Sequence, residues 1–411
     1  MWICQLRFLF FITFLLSSSA CIGKTEVKLV TQKSPVVLIS IDGFARNYLE
    51  QYPTKSLHSL MKTGLTAEAL LPIFPSKTFP NHISIITGVY PAKHGIIHNS
   101  FYNRNLKSKY SLGDGKNNSA WLTAKPLWTI AEQNRIKSAV YFWPESEAKV
   151  EGVLPSYNVP YKKSTPNIDR VNQIISWLKL PVAKRPQFIA GYFSIVDSAG
   201  HRYGRNSAEL AKAIKEIDDL IGILTNKLKN ELDTDVNLIV VSDHGMVQLN
   251  DKSIINWKLP IIDNEDVKVI NGQTQLLIYS KNKTLLRTIE KSYKRVAKGK
   301  YQVYNNDNFP SSWHWNKNNS SIPDLILDAN VPFIFSSFKS HFSSATHGFD
   351  IKKSNDLQAI FIANGNAFKQ NQTIKPFENI NVAPLILHLL KIKTPKEMDG
   401  TYNVFKPFII E

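Results

Sequence analysis

PIFPSKTFPNHISIITGVYPAKHGIIHN, residues 72–99, is the stretch on which the reading of this chain turns. Its centre, Lys77-Thr78-Phe79-Pro80-Asn81-His82, puts a hydroxyl residue at the lip of a helix. Pro80 suits a first helical turn, where a missing N–H leaves nothing unsatisfied. Ile83, Ile85 and Ile86 then supply an apolar face, and Gly88 stops the helix. Thr78 stands where backbone N–H groups without helical partners favour an anion. Taken alone, a Thr here is most simply an N-cap, so the rest of the chain has to decide.

Working outward, residues 36–41 form an uncharged apolar run that stops at Asp42-Gly43. A helix is expected over 53–62, a loop over 90–105 and a flexible polar excursion over 103–119. A helix over 126–135 and a strand over 138–142 follow, then a Pro- and Tyr-rich loop over 152–166. Ile168, Val171, Ile174, Ile175 and Leu178 have helical spacing. Residues 188–196 read as a second buried strand ending at Asp197. After a long helix over 208–228 comes a third strand, 236–241, ending Ser242-Asp243-His244-Gly245. Strict alternation is lost over 252–340, which reads as a smaller inserted subdomain. Thr346-His347-Gly348-Phe349, a strand over 357–363 and a helix over 383–390 close the chain. Apolar strands alternating with amphipathic helices predict an α/β fold, a largely parallel central sheet covered on both faces. Ligands of such sheets collect at the carboxyl ends of the strands.

Asp42, Asp197 and Asp243 all fall at that edge, with His201 four positions after Asp197 and His244 directly after Asp243. A single Asp at a strand end is ordinarily a turn or helix cap. Three sharing a pocket repel one another unless cations neutralise them. Mixed Asp/His ligation suits Zn²⁺ and similar divalent ions, with His201, His244 and His347 binding as neutral imidazoles. Two such ions activate an attacking oxygen and steady a leaving one.

The 411 residues, 43% hydrophobic and 20% charged, are ordinary for a globular chain with a large core. At the start, Arg7, the apolar run 8–16 and Ser17-Ser18-Ser19-Ala20 have the shape of a secretory leader. That run is shorter than the roughly 20 residues that span a bilayer. The expectation is a leader over 1–20, a lead-in over 21–35 and export to a secreted or periplasmic location, with Cys21 a candidate lipid anchor. Cys4 and Cys21 provide no internal disulfide, so the exported fold relies on its core, on metals, or on both. Asn117, Asn282, Asn318, Asn319 and Asn371 head Asn-x-Ser/Thr triplets. A net charge of +17 suits anionic substrates or association with an anionic envelope or membrane surface. Its densest basic stretch, residues 281–300, has the spacing of an amphipathic helix. There is no motif for specific nucleic-acid recognition, and no protein partner is indicated.

Asp42, PSKTFPNH around Thr78, GVYPAKHGII before Asn99, FWP at Phe142–Pro144, VDSAGHRYG at 196–204, SDHGM at 242–246 and THGFD at 346–350 together resemble the nucleotide pyrophosphatase/phosphodiesterase family, of the alkaline phosphatase superfamily. The likeness runs from about residue 36 to 405 and implies an alkaline phosphatase-like catalytic domain over 36–411. It implies two zinc ions: one held by Asp197, His201 and His347, the other by Asp42, Asp243 and His244, with Thr78 as ligand and nucleophile. The implied reaction is attack of Thr78 on a phosphodiester, a phospho-threonine intermediate and its hydrolysis. Asn99, with the Phe79 backbone N–H, matches the donors to a non-bridging phosphoryl oxygen. One departure is Glu145 after FWP, where the family has Gly.

For the small-molecule substrate, Phe79, Tyr161 and Tyr192 match positions that stack around a nucleotide base. The plainer alternatives are a strand core residue for Tyr192 and loop packing for Tyr161. Lys77 and Lys125 are candidates for distal phosphates or for plain solvent exposure. Lys77 and Phe79 beside Thr78 favour nucleotides over choline phospholipids, which relatives cleave with the same metal centre. A catalytically silent binding protein on this fold is the reading from another class; the presence of Thr78 and all six metal-ligand candidates argues against it.

Overall fold

VVLISI carries no charged side chain to leave in water, and Val36–Ile41 is a strand buried at every position. The structure is a computed structural model that describes residues 34–316, 318–336 and 343–410. The expected leader, nearly all of the lead-in and Cys21 lie outside the described residues.

Eight strands make the central sheet: β1 (Val36–Ile41), β2 (Leu65–Ala67), β3 (Ser138–Tyr141), β4 (Tyr157–Val159), β5 (Phe188–Phe193), β6 (Asn237–Val241), β7 (Phe361–Asn364) and β8 (Gln372–Ile374), in the spatial order β8-β2-β7-β6-β1-β5-β3-β4. From β6 to β4 every pairing is parallel. β7 alone runs antiparallel to its neighbours β6 and β2, and β8 is parallel to β2. The sheet is therefore largely parallel, as the alternation of strands and helices requires.

The helices longer than one turn are α1 (Lys55–Thr63), α2 (Thr78–Thr87), α3 (Leu127–Gln133), α4 (Asn167–Leu178), α5 (Ile195–Tyr203), α6 (Ala208–Asn230), α7 (Lys283–Val296) and α8 (Val382–Leu389). Successive strand residues point to opposite faces. Val37, Ile39 and Ile41 share a core with Leu57 of α1, Ile174 of α4 and Ile217 of α6. Val36 and Leu38 share the other with Ile83 and Ile86 of α2 and Leu385 of α8. Between β6 and β7 a second, antiparallel sheet runs in the order Lys268–Asn271, Gln275–Tyr279, Leu325–Ala329, Tyr301–Asn305. Ile289 and Tyr293 of α7 pack into its own core with Leu276, Ile278 and Leu327. Lys283, Arg287, Lys291, Lys294 and Arg295 of that helix are exposed.

Several local expectations are corrected. The loop expected over 90–105 contains a short helix, Pro91–His94. The excursion expected over 103–119 begins with a hairpin pairing Phe101–Asn103 with Ser108–Tyr110. Phe101, Tyr110 and Trp121 bury their rings together there, and that burial outweighs the polar composition. The loop expected over 152–166 supplies edge strand β4. Its half-buried YNV adds to β3 by backbone pairing, which composition does not report. Residues 194–196 leave the strand expected over 188–196, and Asp197 sits in the first turn of α5. Among the described residues no helix is long and apolar enough to cross a membrane.

Candidate metal centre and active site

β6, β1 and β5 are adjacent and parallel, so their carboxyl ends bring Asp243, Asp42 and the start of α5 to one edge. The Asp42 amide donates to Phe193 O at 2.9 Å, and the Asp197 amide donates to Asp42 O at 3.0 Å. Gly43 makes this approach possible. Its φ is +70°, and a Cβ there would lie 2.8 Å from Asp197 Cα. Its N–H donates to Asp243 Oδ1 at 3.1 Å, joining the three loops. His201 lies on the same helix face as Asp197, one turn on.

The ligand atoms of Asp42, Asp243 and His244 all lie within 4.8 Å of one another, as do those of Asp197, His244 and His347. His201 Nε2 joins the second group, 3.1 Å from His347 Nε2 and 3.2 Å from Asp197 Oδ1. Asp42 Oδ1, Asp197 Oδ1 and Asp243 Oδ2 are buried with no hydrogen-bond partner among the described residues. Unpaired buried carboxylate oxygens are costly, and three at one point call for cations. The histidines agree. Nδ1 faces a backbone carbonyl in each: Ala345 O for His201 (2.9 Å), Gly245 O for His244 (2.9 Å) and Ser76 O for His347 (2.8 Å). A carbonyl only accepts, so each Nδ1 carries the proton and each Nε2 turns a lone pair into the cluster. The donor set therefore fits divalent metal ions. It accommodates both groups of expected ligands, with His244 close enough to serve either.

Electrostatics point the same way. Burial, then the charges of Asp243 and Asp197, hold the Asp42 carboxyl well above the usual range. Burial would raise Asp243 too, but His244 and His82 hold it well below. Burial pushes His347 well down, helped by His244 and Lys77. For His201, Asp197 outweighs burial and the imidazole is raised. Such opposed neighbours are a mark of functional sites.

Thr78 is the first residue of α2, not its cap. The capping position is Lys77, in an extended conformation, and no side chain there caps the helix. The Thr78 hydroxyl is thus left for the cluster, 3.4 Å from His244 Nε2. Asn99 Oδ1 accepts from the Phe79 N–H at 3.0 Å. That bond orients the Asn99 amide, and it also occupies the backbone donor expected to work beside it. Tyr192 is buried on β5 and donates its hydroxyl to Asp42 Oδ2. It also meets the Tyr161 ring, with centroids 6.3 Å apart, while Tyr161 is 48% exposed. Tyr161 lies edge-on to Phe142 and Phe79 edge-on to Tyr110.

Two expected substrate contacts fall elsewhere. Lys77 is buried and donates to His347 O at 2.9 Å; burial, partly opposed by Asp197, lowers its ammonium to about 8. Lys125 pairs with Glu151 at 3.0 Å and lines a cavity of about 540 Å³ with Lys93, Glu397 and Met398, apart from the metal ligands. Long side chains near a motif are placed by packing that spacing does not reveal.

His82 was missed. Its ring is buried one turn beyond Thr78, with Nδ1 2.9 Å from Thr78 O and 3.3 Å from Asp243 Oδ2, and Nε2 2.9 Å from Ser40 Oγ. The i, i+4 spacing of Thr78 and His82 was the available signal.

Glu145 sits at φ +60°, a left-handed conformation that explains a preference for Gly there. Its carboxyl is buried and accepts from the Tyr110 hydroxyl. Burial, partly offset by that bond, raises it from 4.5 to about 6. The folded state thus holds the proton more tightly than the unfolded chain. The stability this provides is complete below about pH 4.5 and is lost as pH rises through about 6. Between pH 4.5 and 7.5 the parent should lose about 2 kcal/mol relative to Glu145→Gln. Urea unfolding of both proteins across that range is the check, and parallel profiles would exclude the effect.

The profile of the family described as type I phosphodiesterase/nucleotide pyrophosphatase matches residues 36–350. A venom phosphodiesterase of Crotalus durissus collilineatus is 34% identical over 394 residues, covering 93% of this chain and 47% of its own. Ectonucleotide pyrophosphatase/phosphodiesterase family member 1 of Rattus norvegicus is 34% identical over 388 residues, covering 90% of this chain and 42% of its own. The chain spans about half the length of the curated relatives it matches. Human ectonucleotide pyrophosphatase/phosphodiesterase 5 superposes with a TM-score of 0.85 at 28% identity, over 92% of this chain and 100% of that one. An inactive threonine-to-alanine form of the murine protein, in complex with AMP, superposes with a TM-score of 0.82 at 27% identity, over the same shares.

Proposed function

Because the chain belongs to the type I phosphodiesterase/nucleotide pyrophosphatase family, we propose that it hydrolyses phosphodiester or phosphoanhydride bonds of nucleotides and releases nucleoside 5′-monophosphate, with Thr78 as nucleophile. The observation that carries this reading is the uncapped Thr78 hydroxyl set against three orphaned carboxylate oxygens and His244. The AMP bound by the murine relative supports a nucleotide substrate. In this reading residues 36–411 are the catalytic domain, with 252–340 inserted. The enzyme would act outside the cytoplasm, in keeping with the venom and ecto names of the relatives.

Asp197, His201 and His347 would hold one zinc ion, and Asp42, Asp243 and His244 the other, beside Thr78. Bound there, the ions would neutralise the carboxylates, lower the proton affinity of a hydroxyl and offset charge on a leaving oxygen. Thr78 Oγ1 gives up its proton to solvent and forms the new bond to phosphorus. The departing alcohol or phosphate keeps the electron pair of the broken P–O bond and takes up a proton. Asn99, its Oδ1 held by the Phe79 N–H, turns Nδ2 toward a non-bridging oxygen. Tyr192 holds the Asp42 carboxylate in place. Water then cleaves phospho-Thr78 and restores the hydroxyl.

Steady-state hydrolysis of ATP, a dinucleoside polyphosphate and lysophosphatidylcholine, with zinc present and products identified, tests the substrate. AMP with pyrophosphate is the expected product of ATP. Phosphocholine release with nucleotides untouched would overturn the nucleotide assignment. The exposed Tyr161 ring should stack on the base, worth on the order of 1–3 kcal/mol. Tyr161→Ala should therefore raise KM about tenfold for a nucleotide ester and little for a diester without a base. Equal changes on both substrates would remove Tyr161 from the base slot.

A further inference from the structure

His347 is the metal-ligand candidate farthest along the chain, and the turn that carries it is gripped from two sides. From the start of α2, Lys77 Nζ donates to His347 O at 2.9 Å, and Ser76 Oγ donates to Phe349 O at 2.8 Å. The remaining carbonyl, Gly348 O, is held from the second sheet, where Gln275 Nε2 donates to it at 2.8 Å. Gln275 is fully buried. Its other amide hydrogen goes to Asp328 Oδ1 at 2.7 Å, and its Oε1 accepts from the Thr274 hydroxyl at 2.8 Å. Asp328 lies directly opposite Gln275 in the strand register. It is anchored by Lys353, which also donates to Ala329 O at 2.8 Å.

Both amide hydrogens and the carbonyl oxygen of Gln275 are committed, so its plane is fixed. The space is fixed as well. Gly348 has φ +113°, and a Cβ there would lie 2.3 Å from Lys77 Cε and 2.4 Å from Thr274 Oγ1. Among the described residues no hydrogen bond joins Gln275, Asp328 or Lys353 to the Thr78 hydroxyl or the aromatic slot.

We propose that Gln275 is a positioning residue of the metal centre, through which the second sheet sets the His347 turn so that His347 Nε2 faces Asp197 and His201. The inference rests on the metal-dependent reading of the site and adds a task to the inserted segment. Supports behind a ligand are worth about 10–100-fold in metal affinity. Only the Asp197/His201/His347 group depends on the Gly348 peptide, so the loss should fall on one ion and spare the other.

Zinc binding to the full chain, followed by competition with a chromophoric chelator, provides the test. Parent protein, Gln275→Met and Ile278→Ala are compared. Ile278 is buried in the same sheet, and its aliphatic side chain cannot hydrogen-bond the His347 turn, so it serves as a control for lost stability. The parent should bind two zinc ions. Gln275→Met should bind one with parental affinity and the other about 10–100-fold more weakly. Its kcat should recover as zinc is raised. Ile278→Ala should keep both affinities. Two parental affinities in Gln275→Met, or the same selective loss in Ile278→Ala, would overturn the proposal. If Gln275→Met does not fold, Gln275→Asn, one methylene short, should show the same selective loss, and unchanged binding there is equally fatal. A parent chain that takes up no zinc would instead overturn the site reading, and this inference with it.

Discussion

Thr78→Ala is expected to lower turnover of a p-nitrophenyl nucleotide ester by about 10⁴-fold or more, because a nucleophile and the groups around it act as a unit. The fold should survive. Thr78 is a half-buried first helical residue, its hydroxyl caps nothing, and Ala is a good helix former. Zinc content should also survive, since the carboxylates and imidazoles of both groups remain. Activity above background must therefore be measured on variant protein with parental zinc content. Loss of less than about tenfold would remove Thr78 as nucleophile. Thr78→Ser, which keeps the oxygen, should retain activity.

Chelation is expected to abolish turnover, and added zinc to restore it. The argument is electrostatic. Asp42, Asp197 and Asp243 each point an unpaired oxygen into the cluster, where burial, then the charges of Asp243 and Asp197, raise the proton affinity of the Asp42 carboxyl. Zinc binding should also stabilise the fold, by about 4 kcal/mol per ion at a thousandfold excess over Kd. Thermal unfolding with and without chelator reads this independently of activity. An enzyme indifferent to chelators in both respects would sink the metal assignment.

Much of this site was legible in order along the chain. Asp42, Asp197 and Asp243 each follow an apolar run, and parallel strands send such runs to one edge. Thr78 announced itself through the Pro80 and Gly88 that bound its helix. What spacing could not supply was the direction of long or rotatable groups. Lys77, one position from the nucleophile, turns inward to the His347 carbonyl instead of outward to substrate. Tyr192, expected to stack, uses its hydroxyl on Asp42. The Phe79 N–H, expected to meet phosphate, is taken by Asn99. Short pieces such as β4 and the 101–110 hairpin have the composition of loops, because their pairing partners, not their own residues, make them strands.

The sequence by itself determined the α/β class, the family and the identity of the metal-ligand candidates. Those follow from local pattern: runs without charge must be buried, and chemistry-bearing residues recur at motif spacing. Only the tertiary structure decided which atoms of those residues remain unpaired and which are spent on one another. Gln275 shows the reason. It is an ordinary polar residue on a strand of the second sheet, and its task appears only when folding sets its amide 2.8 Å from Gly348 O. A hydrogen bond depends on distance and angle in space, and neither is a property of the sequence alone.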